Sequence, residues 1–141
     1  MSNQASLKKA EKQLRAIVEG ATSEQFDDSI HFLHLHNPES GGVLTFAYQL
    51  DSKHDGERKV QYATAACCPA DNFCKVTGRI IALRRLYRRL TAKAGGCSSV
   101  VFTDSKKSGL YSQAAYALRA QVYNGAERPF WWIDETEDLP L

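Results

Sequence analysis

Apolar residues recur along this chain in two periods, and the switches between them divide it into elements. Over residues 6–20, Leu7, Ala10, Leu14, Ile17 and Val18 return at three- and four-residue steps. Lys8, Lys9, Glu11, Lys12 and Arg15 lie between them, which is the pattern of an amphipathic helix. Ser6 suits its N-cap and Gly20 its C-terminal stop. The period then changes to two. Residues 29–36 place Ile30, Phe32, His34 and His36 on one side and His31, Leu33 and Leu35 on the other. Residues 43–50 set Leu44, Phe46, Tyr48 and Leu50 on one face, and residues 58–68 alternate through Val60, Tyr62, Thr64, Ala66 and Cys68. The links 37–42 and 51–56 have turn composition. Three strands in an antiparallel meander are predicted.

Pro69 closes the third strand, and Asp71 or Asn72 can cap a helix that runs to about Thr91. Its seam of Phe73, Val76, Ile80, Leu83, Tyr87 and Leu90 is the strongest periodic signal in the chain. Gly95 and Gly96 end the segment. Residues 98–103 (SSVVFT) read as a short strand. Residues 111–123 read as a helix with Tyr111, Ala114, Ala115, Leu118 and Val122 on one stripe, stopped at Asn124-Gly125. Residues 128–133 (RPFWWI) are predicted as a final aromatic strand or anchor segment. The tail from Asp134 to Asp138 is acidic and expected to be solvated. Strands grouped between helices indicate an α+β fold with a mostly antiparallel sheet: N-terminal helix, meander, long basic helix, then strand-helix-strand.

At 141 residues and 15.7 kDa the chain is expected to form a single domain. Hydrophobic residues are 43% and charged residues 24%, which excludes disordered and collagen-like chains and disulfide-dense miniproteins. No stretch has the length and apolarity of a membrane span, and the N-terminus lacks the apolar middle of a secretory signal. A cytosolic setting follows as the expectation, with Cys67, Cys68, Cys74 and Cys97 reduced rather than paired. The net charge of +2 conceals an uneven distribution. Between Asp71 and Asp104 there is no acidic residue, while Lys75, Arg79, Arg84, Arg85, Arg88, Arg89 and Lys93 contribute seven positive charges. The rest of the chain carries an excess of five acids.

That window directs the search for chemistry. At CCPADNFCKVTGR a strand ends and a helix begins, and the first turn of a helix attracts phosphate or carboxylate through its unpaired N–H groups and dipole. Lys75 and Arg79 share a face one turn apart. Gly78 lets a ligand or a second backbone approach. Asn72 can donate and accept hydrogen bonds, and Phe73 can stack on a base. The same letters also serve packing alone, with Asp71 as cap and Phe73 in the seam. Arg84 with Arg88, and Arg85 with Arg89, form i, i+4 pairs suited to planar contact with phosphate, or to pairing with acids elsewhere such as the tail. His34 and His36 share a strand face, but no spacing supplies the three or four converging ligands of a zinc site, and no metal is expected. Cys74, near a helix start, would be acidified in principle, yet no base is identifiable and a small buried role is expected. No nucleophile elbow, P-loop or dinucleotide fingerprint occurs, so nucleophilic catalysis has no motif behind it, and no cofactor is expected. Phe130-Trp131-Trp132 is expected to pack or to mediate oligomerisation.

The run from Ala63 to Ala82, with its core C-x-P-x-D-N-F-x-x-x-x-G-R-x-I-A, resembles a segment of small tailed-phage proteins of the Thoeris anti-defence 1 type. Members of that family hold cyclic ADP-ribose-type signalling nucleotides and deny them to a host defence effector. The resemblance covers about a fifth of the chain and matches the motif at Asn72, Phe73, Gly78 and Arg79. It implies a homo-oligomer in the host cytoplasm with nucleotide pockets at subunit contacts, no catalysis and no required metal. The expectation is therefore a phage counter-defence protein that sequesters a phosphate-bearing signalling nucleotide without turnover. Arg79 and the helix start would hold phosphates, Lys75, Arg84, Arg85 and Arg88 would add charge, and Phe73 or Tyr87 would stack on the base. Two alternatives stand beside it: an inhibitor acting by contact with a host protein (an anti-CRISPR or polymerase inhibitor), and a nucleic-acid binder using the arginine helix.

Overall fold

The computed structural model describes residues 3–22, 26–27, 29–51, 56–70, 72–91, 98–105, 108–125, 128–129 and 131–132. They form α1 (Asn3–Ala21), β1 (His31–His36), β2 (Val43–Leu50), β3 (Glu57–Cys67), α2 (Lys75–Thr91), β4 (Ser98–Thr103) and α3 (Leu110–Tyr123). The class is α+β. The four strands form one antiparallel sheet in the order β1-β2-β3-β4, so each strand pairs with its neighbour in sequence.

Strand alternation decides which helix each side chain meets. Leu44, Phe46, Tyr48 and Leu50 of β2, with Val60 and Tyr62 of β3, pack against Ala114, Leu118 and Val122 of α3. The intervening Ala47, Ala63 and Ala65 pack against Val18 of α1 and Ala82, Leu83 and Leu86 of α2. Strand β2 is buried along its whole length because it has a strand on each side and helices on both faces. The β1–β2 turn is fixed by Asn37, whose carbonyl accepts from Gly41 N–H at 2.7 Å and whose Oδ1 accepts from Ser40 N–H at 2.9 Å. Gly41 takes φ +84°, a conformation that favours glycine. At the other end, the buried Asp51 carboxylate accepts from Arg58 Nε at 2.9 Å and from Lys59 N–H at 3.0 Å.

Four local expectations change. Helix α1 begins before Ser6 and continues through Gly20, so neither residue caps it; Gly20 does not take a left-handed φ. Helix α2 begins at Lys75, and the Cys74 carbonyl accepts its first helical bond, from Gly78 N–H at 3.0 Å. Cys74 is thus the N-cap residue, Asn72 and Phe73 precede the helix, and Asp71 lies outside the described residues. In the seam of α2, Leu86 is fully buried while Tyr87 is 37% exposed. The helix packs on the sheet and on α1 at once, so its apolar face widens to include Ala82 and Leu86 and the single three-four line drifts outward.

The RPFWWI segment forms no strand where it is described. It is an anchor. Trp131 is buried against Gly42, where a Cβ would stand only 2.3–2.6 Å from three indole carbons. Trp132 packs on the α3 side of the sheet with Tyr123. Arg128 donates to the Val122 carbonyl at 2.7 Å and the Tyr123 carbonyl at 2.8 Å, satisfying acceptors at the end of α3. Asn124 and Gly125, the latter at φ +100°, stop α3 as the sequence predicts. Phe130, Ile133, the acidic tail, Gly95, Gly96, Cys97 and residues 52–55 lie outside the described residues.

Candidate functional site

The start of α2 rests on the end of the sheet where β2 begins and β3 finishes. Gly78 sets how closely. A Cβ at this position would stand 2.9 Å from Thr45 Oγ1 and 3.5 Å from Phe73 Cε1, so only hydrogen lets the helix settle at this distance. Small residues on the facing strand, Ala63 and Ala65, deepen the approach. An open pocket of about 220 Å³ remains between the two layers. Ala65, Ala66, Phe73 and Ile81 give it an apolar lining, with Thr45, Asn72, Cys74 and Thr77 as its polar groups.

His34 and His36 meet on this face, as their alternation predicts. Both lie edge-on to the Phe73 ring, at centroid distances of 5.5 and 5.7 Å, and His34 Nδ1 is 2.8 Å from Thr45 Oγ1. Burial lowers the His34 pKa from its ordinary value, helped by the positive charges of Arg79 and Lys75. The shift favours the neutral imidazole. Among the described residues no group of three or more His, Cys, Asp or Glu side chains could hold a metal ion.

Cys74 is not the small buried residue the sequence suggested. It is partly exposed and lines the pocket. The Thr77 hydroxyl and backbone N–H, with the Val76 N–H, hydrogen-bond to its sulfur and hold the thiol below its ordinary pKa. This is an N-cap made by sulfur, with the helix dipole favouring the thiolate.

The seven residues singled out from sequence separate into groups. Asn72 and Phe73 line the pocket. Lys75 stands exposed on the first turn of α2. Arg79 faces α1, where its Nε donates to both carboxylate oxygens of Glu11 at 2.6 and 3.0 Å while its guanidinium covers the Phe32 ring. Its charge is already matched within the fold. Arg85 donates to the Thr64 carbonyl at 2.9 Å, beyond the end of β4, which pairs β3 only as far as Tyr62. Arg89 donates to the Tyr62 carbonyl, at the last β3–β4 pair, at 3.0 Å. Arg84 and Arg88 are exposed, about 9 and 15 Å along the helix axis from Gly78 at 1.5 Å per residue. The basic window is therefore not one site. Sequence reasoning missed Glu11, Thr45 and Thr77. Glu11 lies 68 residues from Arg79, and no local pattern joins them. Thr45 carried a usable signal, being a polar residue between Val43 and Ala47 on the face opposite the large apolar residues of β2.

No family model, no curated protein and no solved structure matches this chain. Among the described residues, no helix is long and apolar enough to cross a membrane.

Proposed function

We propose that this protein binds a small phosphate-bearing nucleotide without turning it over, and so acts as a sequestering protein of the phage counter-defence kind. The observation that carries the reading is the pocket beside the start of α2, lined by Asn72 and Phe73 and opening next to Lys75 in a helical turn without an acid. Its apolar walls and size suit one planar base. Asn72 reads the edge of that base, Phe73 packs on it, and Lys75 holds the phosphate outside the pocket. Arg79 contributes through the α1–α2 contact rather than as a phosphate ligand. Calorimetry with cyclic ADP-ribose isomers and with cyclic di- and trinucleotides tests the proposal. Binding is expected for at least one of them. Lys75→Ala should weaken it about tenfold, the worth of one charge-assisted hydrogen bond. No binding to any of them at tens of micromolar overturns the reading.

A second reading, inhibition by contact with a host protein, is favoured by Arg84 and Arg88. They stand exposed one turn apart and make no ion pair among the described residues. A complex captured from host lysate that Arg84→Glu/Arg88→Glu abolishes and Lys75→Ala leaves intact would favour it over the first.

A further inference from the structure

The sheet has two outer edges, β1 and β4, and the fold treats them differently. In antiparallel pairing, residues alternate between bonding to the neighbouring strand and turning their backbone groups away from it. Asn37 N–H donates to the Gly42 carbonyl at 2.9 Å, so the odd-numbered residues of β1 pair with β2 and the backbone at even positions turns outward, beginning at Ile30. There α1 covers the edge: the Ile30 N–H donates to Glu19 Oε2 at 3.1 Å, and the Ile30 carbonyl accepts from Arg15. On the other side, Asp104 N–H donates to the Gly56 carbonyl at 2.8 Å. Ser98, Val100 and Phe102 therefore pair with β3, while the N–H and C=O groups of Ser99, Val101 and Thr103 turn outward. Among the described residues nothing pairs with them. All three residues are exposed, Val101 to 49%. The strand SSVVFT carries no charge and no proline, and its register is unbroken, so none of the usual devices that blunt an edge is present.

We propose that the outer edge of β4 docks an extended, acidic segment of a partner protein, which adds to the sheet as a fifth strand antiparallel to β4. Main-chain bonds to Ser99, Val101 and Thr103 hold such a strand, and its alternate side chains carry the specificity. Charge selects one face. Arg89 donates to Ser98 Oγ at 3.2 Å and Arg85 to the Thr64 carbonyl just beyond, so two guanidinium groups stand at the Ser98 end on the α2 side of the sheet. Lys59 is exposed opposite Val101. The acids among these described neighbours, Glu57 and Asp104, lie at the Thr103 end. An antiparallel segment brings its C-terminal half beside the arginines, which is where its acids belong. Shape selects the other face. On the α3 side a hollow of about 410 Å³ lies between Phe102 and Thr103 of β4 and Ser112, Gln113 and Tyr116 of α3. The partner residue opposite Phe102 points its side chain to that side, and an apolar one fits there. The residue three positions later lies opposite Ser99, faces α2, and is the acidic one.

The edge does not depend on the nucleotide pocket, which lies past the start of β4 at Ala65, Ala66 and Cys67. A few main-chain bonds with one buried side chain suit a dissociation constant on the order of tens of micromolar.

Selection from a random library of short linear peptides on the full chain, followed by amide exchange of the complex, tests the proposal. The enriched peptides should carry an apolar residue with Asp or Glu three positions later. The bound peptide should slow exchange at Ser99, Val101 and Thr103, which exchange fast in the free protein. Val101→Pro removes an outward N–H that β3 does not use, and should weaken binding about tenfold or more with unchanged circular dichroism. Methylating the peptide's own backbone nitrogens that face β4 should do the same with the protein untouched. Four results would each overturn the proposal: no enriched peptide, enrichment without acids, protection away from β4, or undiminished binding of the methylated peptide or to the folded proline variant. Slow exchange at the three amides in the free protein would overturn it too, because the edge would then already be paired to the chain itself or to a second copy.

Discussion

The two faces of the sheet are built on opposite plans. On the α3 face the strands supply the bulk, with Phe46, Tyr48, Tyr62, Leu44 and Leu50, and the helix supplies the smaller Ala114, Leu118 and Val122. On the α1–α2 face the central strands β2 and β3 supply little, with Ala47, Ala63, Ala65 and Thr45, while the helices bring Val18, Leu83 and Leu86 and the β1 edge adds Ile30 and Phe32. Shape complementarity is met in both cases, but with different consequences. Bulky strand residues hold a helix away from the backbone and leave a dry apolar layer. Small ones let a helix backbone come down onto the sheet. There a polar side chain such as Thr45, Gln49 or Gln61 must find its partner at close range, and Gln61 Nε2 donates to Gln49 Oε1 at 2.6 Å. The pocket, the N-cap thiol and the His34–Thr45 pair all lie on that close-packed face.

The largest expected effect comes from removing bulk where bulk does the packing. Phe46 is fully buried at the centre of the α3-side cluster and stacks obliquely with Tyr62 at 5.5 Å. Phe46→Ala should destabilise the fold by about 3–5 kcal/mol, the usual range for a buried phenylalanine. Urea unfolding measures it. A loss below about 1 kcal/mol would mean that the α3 face can collapse as readily as a surface layer, and the contrast between the faces would fail.

A smaller effect comes from adding bulk where its absence matters. Gly78→Ala gains about 1 kcal/mol of helix propensity. It also forces a methyl against Thr45 Oγ1, at a cost of roughly 1–3 kcal/mol. A net loss of about 1 kcal/mol is expected, because Thr45 is held in place by His34 and cannot swing away freely. In a Thr45→Ala background the same substitution should become stabilising, since the propensity gain persists without the clash. A double-mutant cycle reads that change of sign. If Gly78→Ala destabilises equally in both backgrounds, the close approach of α2 to β2 is not set at this pair.

These pairs also mark how far the sequence alone could be read. Alternation along residues 43–50 and 58–68 is a local property, and it correctly separated the two faces of the central strands. The Asn124-Gly125 stop and the start of β2 were equally local. What was not legible depended on third parties. Tyr87 and Leu86 are both compatible with the helical period, and only the position of α1 decides which is buried. Arg79 reads as a free cation until Glu11 is brought beside it. RPFWWI has strand composition, yet Gly42 offers Trp131 a site that accepts an indole and no extended pairing. The candidate site divides in the same way. Asn72 and Phe73 were found because they flank a helix start, whereas Arg84, Arg85 and Arg88 were grouped by charge although they point to different surroundings.

The smallest expected effect is a pH dependence to which the two faces contribute separately. His31 belongs to the α3 face, stacked on Tyr111 at 3.7 Å and near Tyr48, and His34 belongs to the α1–α2 face. Burial lowers both pKa values from 6.5. Arg15 adds to the effect at His31, while Asp27 and Glu19 oppose it. At His34, Arg79, Lys75 and His36 all add to it, and Glu11 opposes them. Below about pH 6.5 the unfolded chain takes up protons that the folded protein resists, so unfolding becomes more favourable as the pH falls. The contribution is complete above that pH and is lost progressively as the pH drops through the lowered folded values. Urea midpoints between about pH 8 and pH 5 should therefore decline toward the acid end. His34→Gln should flatten the decline more than His31→Gln, because more of the charges around His34 act in one direction. Equal slopes in both variants would show that solvent screens the arginine and lysine at the start of α2, and that burial alone sets the two histidines.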